Sequence, residues 1–360
     1  MVEHYLQCVE CKSTYDPDIF ILKCKNCSGV LRVIYNQKSF KDKPLLPIQK
    51  GDILFLGEGD TSLIELKSSV HQFNLSSVSA KLEMLSPTGS FKDRGSSILI
   101  SMAKVFGVNE FVEDSSGNAG ASLSAYAAAA KIKANIFVPK SASKGKISQI
   151  KIFGANLHMI EGLRQLSTDA AERYVKEMKI PYLSHNLSPY FSEGMKKISY
   201  ELINQLNFIP DHVVLPVGNG SLLIGMFRGF QEINSDSVKI NIPKFHAIQS
   251  NNVRPIFDKY KHSVKSETTF TVASGISVSN PPRIKEILEI IYETNGTVNT
   301  VGDDSIIFWQ KKLSEEEGIF CEPTSSAALS GLEILVGNGT IKSGESVVVP
   351  ITGNGLKEPL

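Results

Sequence analysis

The chain has 360 residues, of which 42% are apolar and 21% charged, and its 38 basic and 37 acidic side chains leave a formal net charge of +1. At about 100 to 200 residues per domain, this length predicts two domains with large buried cores, and the even charge balance excludes a protein that coats nucleic acid or wraps a polyanion. The composition also lacks the low hydrophobicity and high net charge that keep a chain disordered. The first residues, MVEHYLQCVECKSTY, lack the apolar core of a signal peptide, and no later stretch approaches the ~18 apolar residues of a membrane span. The expectation is a cytoplasmic globular protein with neither a membrane nor a nucleic-acid partner.

Four of the five cysteines fall within the first 27 residues. Cys8 and Cys11 form one C-x-x-C pair and Cys24 and Cys27 a second, with twelve residues between the pairs. Two such knuckles, brought together by a hairpin, supply four thiolates in the tetrahedral arrangement that zinc takes. The run between them, with Tyr15, Ile19, Phe20, Ile21 and Leu22, is expected to supply the strands of a zinc ribbon. A closed set of four thiolates leaves no position for water, so the metal expected here is structural. The competing readings are a redox dithiol and a ribbon that keeps the spacing without metal. Cys321 stands alone, and is expected to be a buried small hydrophobe.

From about residue 76 short apolar runs alternate with amphipathic stretches, the pattern of strand-helix-strand units and a parallel sheet. Strands are expected at 79–84, 110–113, 134–139, 156–160, 213–217, 245–249 and 346–351, and helices at 93–106, 118–131, 144–153, 166–176, 193–206 and 222–233. The runs VVLPV and VVVPI read as strands buried on both faces. Ligands of open α/β sheets bind at the carboxyl ends of the strands, so the loops leading into helices carry the information.

Four loops stand out, and they are expected at the same end of one sheet. Residues 86–95 read SPTGSFKDRG, where Pro87 and Gly89 set a turn, Ser90 is placed to cap a helix and Lys92 falls in its first turn. The positive end of a helix disfavours an ammonium, and a neutral amine is what attacks a carbonyl. Residues 115–120 read SSGNAG and open another helix, a donor-rich start suited to a carboxylate. Gly218, Asn219, Gly220 and Ser221 follow a buried strand and form a candidate phosphate cradle. Residues 351–357, ITGNGLK, follow the last strand. Together these loops suit a phosphate-bearing aldehyde cofactor.

The motif SPTGSFKDRG resembles the lysine motif of pyridoxal-phosphate enzymes of the tryptophan-synthase-β fold (fold type II), most nearly that of threonine synthases. SSGN at 115–118, EPTSSA at 322–327 and TGNGLK at 352–357 occur in that family's order, and the cysteine module is similar to that of archaeal-type threonine synthases. The resemblance implies an α/β protein of two open parallel-sheet domains with pyridoxal 5'-phosphate in the cleft, preceded by the zinc-ribbon-like segment. The domains are expected at 1–36 (ribbon), 76–190 (small) and 37–75 with 191–360 (large), in a homodimer. By resemblance, Lys92 forms the Schiff base and then acts as acid and base, Asn118 bonds the cofactor's 3-hydroxyl, and Ser115, Ser116, Gly117 and Asn118 hold the substrate carboxylate. Gly218, Asn219, Gly220 and Ser221 would hold the cofactor phosphate, and Thr352 would face the pyridine nitrogen. A neutral hydroxyl there makes a weaker electron sink, which suits elimination and replacement.

Some positions depart from the pattern. In residues 185–196, HNLSPYFSEGMK, Phe191 stands where an arginine that holds the substrate's phosphate is expected. Lys144, Lys146, Lys196 and Arg283 are the cations available to replace it, with Lys146 and His185 carried as the candidate substrate residues. Ser221 and Leu222 replace a Gly and an Asn, and residues 275–283 lack an arginine near their start. The expected reaction is conversion of O-phosphohomoserine and water to threonine and phosphate. The alternatives are β-replacement on phosphoserine or an activated serine, as in a cysteine or cysteate synthase, a serine/threonine dehydratase, and a non-catalytic metabolite-binding paralogue.

Overall fold

A computed structural model describes residues 1–36, 43–162, 164–234, 239–264 and 269–358, Arg164 by its backbone alone. In chain order the first strands are β1 (His4–Cys8), β2 (Thr14–Tyr15) and β3 (Leu31–Tyr35). Then come β4 (Leu63–Glu65), α1 (Lys67–Phe73), β5 (Ser77–Lys81), α2 (Lys92–Val105), β6 (Glu110–Glu113), α3 (Asn118–Ala130), β7 (Lys133–Pro139), α4 (Lys144–Ile152), β8 (Asn156–Ile160) and α5 (Arg164–Met178). A 3-10 turn, Phe191–Lys196, leads into α6 (Lys197–Leu206), β9 (His212–Pro216), α7 (Ser221–Ile233), β10 (Lys244–Ser250) and α8 (Pro255–Tyr260). The chain ends with α9 (Ile284–Glu293), β11 (Thr297–Val301), α10 (Asp303–Glu317), α11 (Pro323–Gly337) and β12 (Ser346–Pro350).

These elements form two compact units, residues 1–59 with 86–195 and residues 60–85 with 196–360. The first unit holds two sheets. Antiparallel β2-β1-β3 makes the ribbon, and parallel β6-β7-β8 carries the α/β layer. Ribbon residues Leu6, Ile19, Leu31 and Val33 lie in the same buried cluster as Ile98, Leu99, Met102 and Phe191, so the ribbon is built into the core of this unit. Its strands differ from expectation. Only Thr14 and Tyr15 come from the run between the cysteine pairs, and the longer strands flank it, because β1 and β3 pair over five residues each and bury alternate side chains.

The second unit is a six-stranded sheet in the order β11-β10-β9-β12-β5-β4, parallel except for β4 at its edge. Its central strands β9 and β12 are buried at every position, as their unbroken apolar runs foretold. β5, expected to begin the smaller domain, instead pairs in parallel with β12. The other expected strands and helices lie within two residues of expectation, except for 79–84, where β5 ends at Lys81 and Glu83–Leu85 form a 3-10 turn, and for residues 191–196. There the expected helical start is a tighter turn, since Gly194 presses on the Arg94 carbonyl at a distance that no Cβ would tolerate. Cys321 is fully buried in the core of the second unit, where burial pushes its thiol up to about 12.

At the amino ends of β9 and β10, His212 and His246 form a buried pair, Nδ1 to Nε2 at 2.9 Å. His212 Nε2 lies 3.0 Å from Glu345 Oε2, and His246 Nδ1 lies 2.9 Å from Thr297 Oγ1. Burial, with His212 and Lys244 nearby, pushes His246 down to about 3, and burial outweighs Glu345 and Asp211 in lowering His212. Below pH ~6.5 the unfolded chain takes up protons that the folded pair refuses, so stability falls with acidity. Between pH 7 and 4.5 His246 alone accounts for about 2 to 3 kcal/mol. Urea midpoints at the two pH values are expected to differ less for His246→Leu than for the wild type. An equal drop in both proteins would refute this account.

Candidate active site

In the first unit, Lys92 opens α2 directly behind a turn closed by the Gly89 amide donating to the Ser86 carbonyl at 2.7 Å, with Gly89 at φ +78°. The turn is held by the next side chain. Asp93, fully buried, accepts from Thr88 N at 2.7 Å, Thr88 Oγ1 at 2.6 Å and Ser122 Oγ at 2.6 Å. Since Ser122 lies on α3, this one carboxylate ties the first turn of α2 to the second turn of α3. Ser90 does not cap the helix as expected. Phe91 is the N-cap residue, and the fully buried Ser90 Oγ has no hydrogen-bond partner among the described residues.

The second loop follows β6. Gly117 is the N-cap of α3 without a side-chain bond to the helix, and Ser115 Oγ accepts from the Gly117 amide at 3.3 Å. A Cβ on Gly120 would stand 1.9 Å from the Ser115 carbonyl, so only glycine lets the loop fold so closely on its helix. The uncapped amides of this first turn are the donors an anion needs. His185 lies beside the end of β6, its Nδ1 2.6 Å from Glu113 Oε1 and its amide 3.2 Å from Glu113 Oε2, both side chains buried. Glu113 fixes the hydrogen of His185 on Nδ1, and sequence reasoning missed it. The visible signal was an acid, Glu113, at the end of the strand EFVE, next to the loop that opens α3.

Phe191 links these pieces. It is fully buried, with its ring against Gly95 of α2, where a Cβ would come within 2.7 Å. The Lys92 Nζ lies 5.7 Å from its centroid and 4.3 Å from that of Phe91, and the His185 ring meets Phe191 edge-on at 5.9 Å. Of the four cations considered as a replacement for arginine here, Lys144 is exposed and Lys196 is held by Glu232 at 2.6 Å. Arg283 is buried against Glu286 at 3.0 Å. Lys146 is buried on α4, the helix whose Gln149 donates to the Thr88 carbonyl at 3.0 Å. The first unit thus gathers Lys92, Ser115, Ser116, Gly117, Asn118, His185 and Lys146 around the carboxyl end of β6 and the starts of α2, α3 and α4.

In the second unit, Gly218, Asn219, Gly220 and Ser221 run from β9 into α7. Gly220 is the N-cap at φ +85°, no side chain caps the helix, and the buried Asn219 Oδ1 has no hydrogen-bond partner among the described residues. A Cβ on Gly218 would meet Val278 at 3.0 Å and the Gly275 carbonyl at 3.1 Å. After β12, Thr352 Oγ1 lies 2.9 Å from Ser325 Oγ at the start of α11, and Ser325 also accepts from the Gly353 amide at 3.0 Å. Ser325 was overlooked, although its motif EPTSSA was in view. The four loops follow strands of two sheets, not one: β5, β9 and β12 belong to the six-stranded sheet and β6 to the three-stranded.

In the ribbon, the Sγ atoms of Cys8, Cys11, Cys24 and Cys27 all lie within 4.8 Å of one another. Four sulfurs held 2.3 Å from a tetrahedral metal stand about 3.8 Å apart, so the set fits one ion. A hydrogen bond from Tyr15, 3.0 Å from Cys24, is the main cause drawing that thiol down to about 6, toward the thiolate a metal binds.

Residues 54–353 match the family model described as "Pyridoxal-phosphate dependent enzyme". The chain belongs to that family. The chain is 32% identical over a 377-residue alignment to the threonine synthase of Methanocaldococcus jannaschii, covering 98% of this chain and 93% of that one. It is 33% identical to the threonine synthase of Methanosarcina acetivorans, covering 99% and 93%. Among solved structures, maize serine racemase superposes with a TM-score of 0.71 at 20% identity, covering 82% of this chain and 88% of that one. Threonine deaminase isoform 2 of Solanum lycopersicum gives 0.71 at 19% identity, covering 84% and 85%. These likenesses establish the type II fold, and the enzyme is a pyridoxal-phosphate-dependent lyase. The residues fit the cofactor. Buried hydroxyl and amide oxygens without partners among the described residues, at Ser90 and Asn219, are costly unless an outside group bonds them, and the backbone at Gly218 and Gly220 is crowded where a Cβ would stand. None of the helices is long and apolar enough to cross a membrane among the described residues.

The Asp93 clamp sets the stability of the lysine turn. Asp93→Ala removes the shared acceptor of three buried hydrogen bonds and is expected to cost about 2 to 4 kcal/mol in urea unfolding. A cost below about 0.5 kcal/mol would mean that the turn is held by other contacts.

Proposed function

We propose that the enzyme is a threonine synthase acting on O-phosphohomoserine and water. The observation that carries this reading is that relatives named threonine synthase align over 98% and 99% of the chain, cysteine ribbon included. Bound pyridoxal phosphate supplies an electron sink next to the substrate's α-carbon. Everything else falls to this chain's residues. Lys92 binds the cofactor aldehyde and afterwards moves protons at the substrate's α- and β-carbons. The amides at the start of α3, with Ser115, Ser116 and Gly117, hold the substrate carboxylate, and Asn118 bonds the cofactor's 3-hydroxyl. Gly218, Asn219, Gly220 and Ser221 take the cofactor phosphate on backbone donors, as glycine-rich helix starts do. Thr352, paired with Ser325, serves the ring nitrogen as a neutral hydroxyl. His185 and Lys146 meet the substrate's phosphate. The four ribbon cysteines hold a structural zinc ion.

One observation favours a second reading. Phe191, where an arginine is expected by resemblance, is a buried ring that offers no donor to a phosphate. Less cationic charge there suits β-replacement on an activated serine without a phosphate, or on phosphoserine, whose phosphate lies one methylene nearer the α-carbon. The purified protein, incubated with O-phosphohomoserine, is expected to release threonine and phosphate in equal amounts. Lys92→Ala is expected to lose the visible absorption of the lysine-bound cofactor and at least about 10²-fold in rate. A coloured protein that ignores O-phosphohomoserine but consumes phosphoserine would replace the first reading with the second.

A further inference from the structure

A line of contacts inside the first unit runs from the four cysteines to Lys92. β1 and β3 pair along their whole length, with Cys8 opposite Leu31 at one end and His4 opposite Tyr35 at the other. The cysteine knuckles therefore occupy one end of the ribbon. At the opposite end the Tyr35 hydroxyl donates to Glu193 Oε2 at 2.7 Å. Beside it, His4 Nε2 lies 3.4 Å from the Tyr190 hydroxyl, the two rings edge-on at 5.8 Å. Tyr190 and Glu193 are fully buried. They bracket Phe191, whose ring fills the space against Gly95, and the next residue, Gly194, would place a Cβ 1.9 Å from the Arg94 carbonyl. The turn that the ribbon grips is thus pressed without slack on the first turn of α2, where Lys92 sits 5.7 Å from the Phe191 centroid.

We propose that Tyr35 and His4 are positioning residues for the Lys92 helix, and that metal at Cys8, Cys11, Cys24 and Cys27 and cofactor at Lys92 consequently strengthen each other's binding. This rests on the reading that Lys92 holds the cofactor and the cysteines a zinc ion. The physical reason lies in the ribbon's size. Its strands are only five, two and five residues long, so the ribbon depends on the core it shares with α2 and on whatever joins its two cysteine knuckles, whose Sγ atoms lie within 4.8 Å of one another. Metal binding is therefore folding energy for the ribbon. Whatever fixes the ribbon fixes Tyr35 and His4, and through them the turn at 190–194. Coupling between two sites is reciprocal, so ordering of α2 by the cofactor must tighten the metal in equal measure.

The test uses the full-length protein loaded with zinc. Zinc transfer to a colorimetric chelator is followed with pyridoxal phosphate bound and after its removal, and pyridoxal phosphate affinity is measured with and without zinc. Both comparisons are expected to differ by the same factor, about tenfold, within the usual range for coupled sites. Tyr35→Phe keeps the ring but removes the donor, and is expected to bind one zinc per chain while the coupling factor falls to about twofold or less. Hydrogen exchange supplies a readout independent of the cofactor: protection at 92–105 and 190–196 is expected to fall on zinc removal, and also in zinc-loaded Tyr35→Phe. A protein that binds no pyridoxal phosphate would end the cofactor reading, and the exchange comparison would still decide the mechanical link. Equal zinc release with and without cofactor, or unchanged protection of 92–105 in Tyr35→Phe, would overturn the proposal.

Discussion

The helix that carries Lys92 begins where there is no room for a side chain on either partner. Gly95 meets the ring of Phe191, and Gly194 meets the Arg94 carbonyl, each at a separation that a Cβ would close to a clash. Backbone packed this tightly has one register, because neighbours in a close-packed interior cannot shift without opening a void elsewhere. Asp93 supplies the polar counterpart, binding the turn before the helix and the second turn of α3 with one carboxylate. A reactive amine on a flexible stem needs such a base, since the stem itself gives no precision. The buried ribbon, the turn at 190–194 and the starts of α3 and α4 are all arranged around that fixed point.

The second unit solves a different problem with the same means. β9 and β12 are apolar after their first residues, His212 and Ser346, so towards the site the polar groups concentrate where those strands end. There the Gly218 loop and the Ser325–Thr352 hydroxyl pair place small donors and acceptors on rigid backbone. Neither group carries charge. A hydroxyl pair can donate or accept without a fixed protonation state, whereas a carboxylate would hold a pyridine nitrogen protonated and deepen its electron sink. Buried polar oxygens without partners among the described residues, at Ser90 in one unit and Asn219 in the other, are departures from a stability optimum. Such departures concentrate where a protein handles a ligand.

Much of this was legible in the sequence because the determinants are local. Apolar runs bounded by turn residues gave β6, β9 and β12, and the glycine and serine loops after them gave Lys92, Asn118 and Gly218 as points of interest. The parts that escaped depend on contacts between distant segments. β11 and the edge strand β4 are short and half-polar, and pairing with an existing sheet makes them strands. Ser90 has the composition of a cap, but Asp93 outcompetes it for the turn by accepting three hydrogen bonds. Glu113 and His185 are 72 residues apart, and no spacing rule joins them. The ribbon strands were sought between the cysteine pairs, when the residues able to pair over a length of five lie outside them.

Phe191 shows how one departure from a motif redistributes chemistry through a site. An arginine there would set a fixed positive charge near the amine of Lys92. The ring does the reverse, because the faces of Phe91 and Phe191, at 4.3 and 5.7 Å from the Lys92 Nζ, attract a cation by about 0.5 to 2 kcal/mol. It also fills the space against Gly95, so it takes part in the packing that fixes α2. The charge lost at this position must then be supplied from neighbouring elements if an anionic substrate is to bind. In the first unit the buried side chains suited to that are Lys146 on α4 and His185, whose Nδ1 hydrogen is already committed to Glu113. A lysine gives a compact charge on a flexible stem, and a carboxylate-held imidazole gives an oriented donor, so on the proposed reading the two together would supply the position and the direction that a guanidinium combines in one side chain.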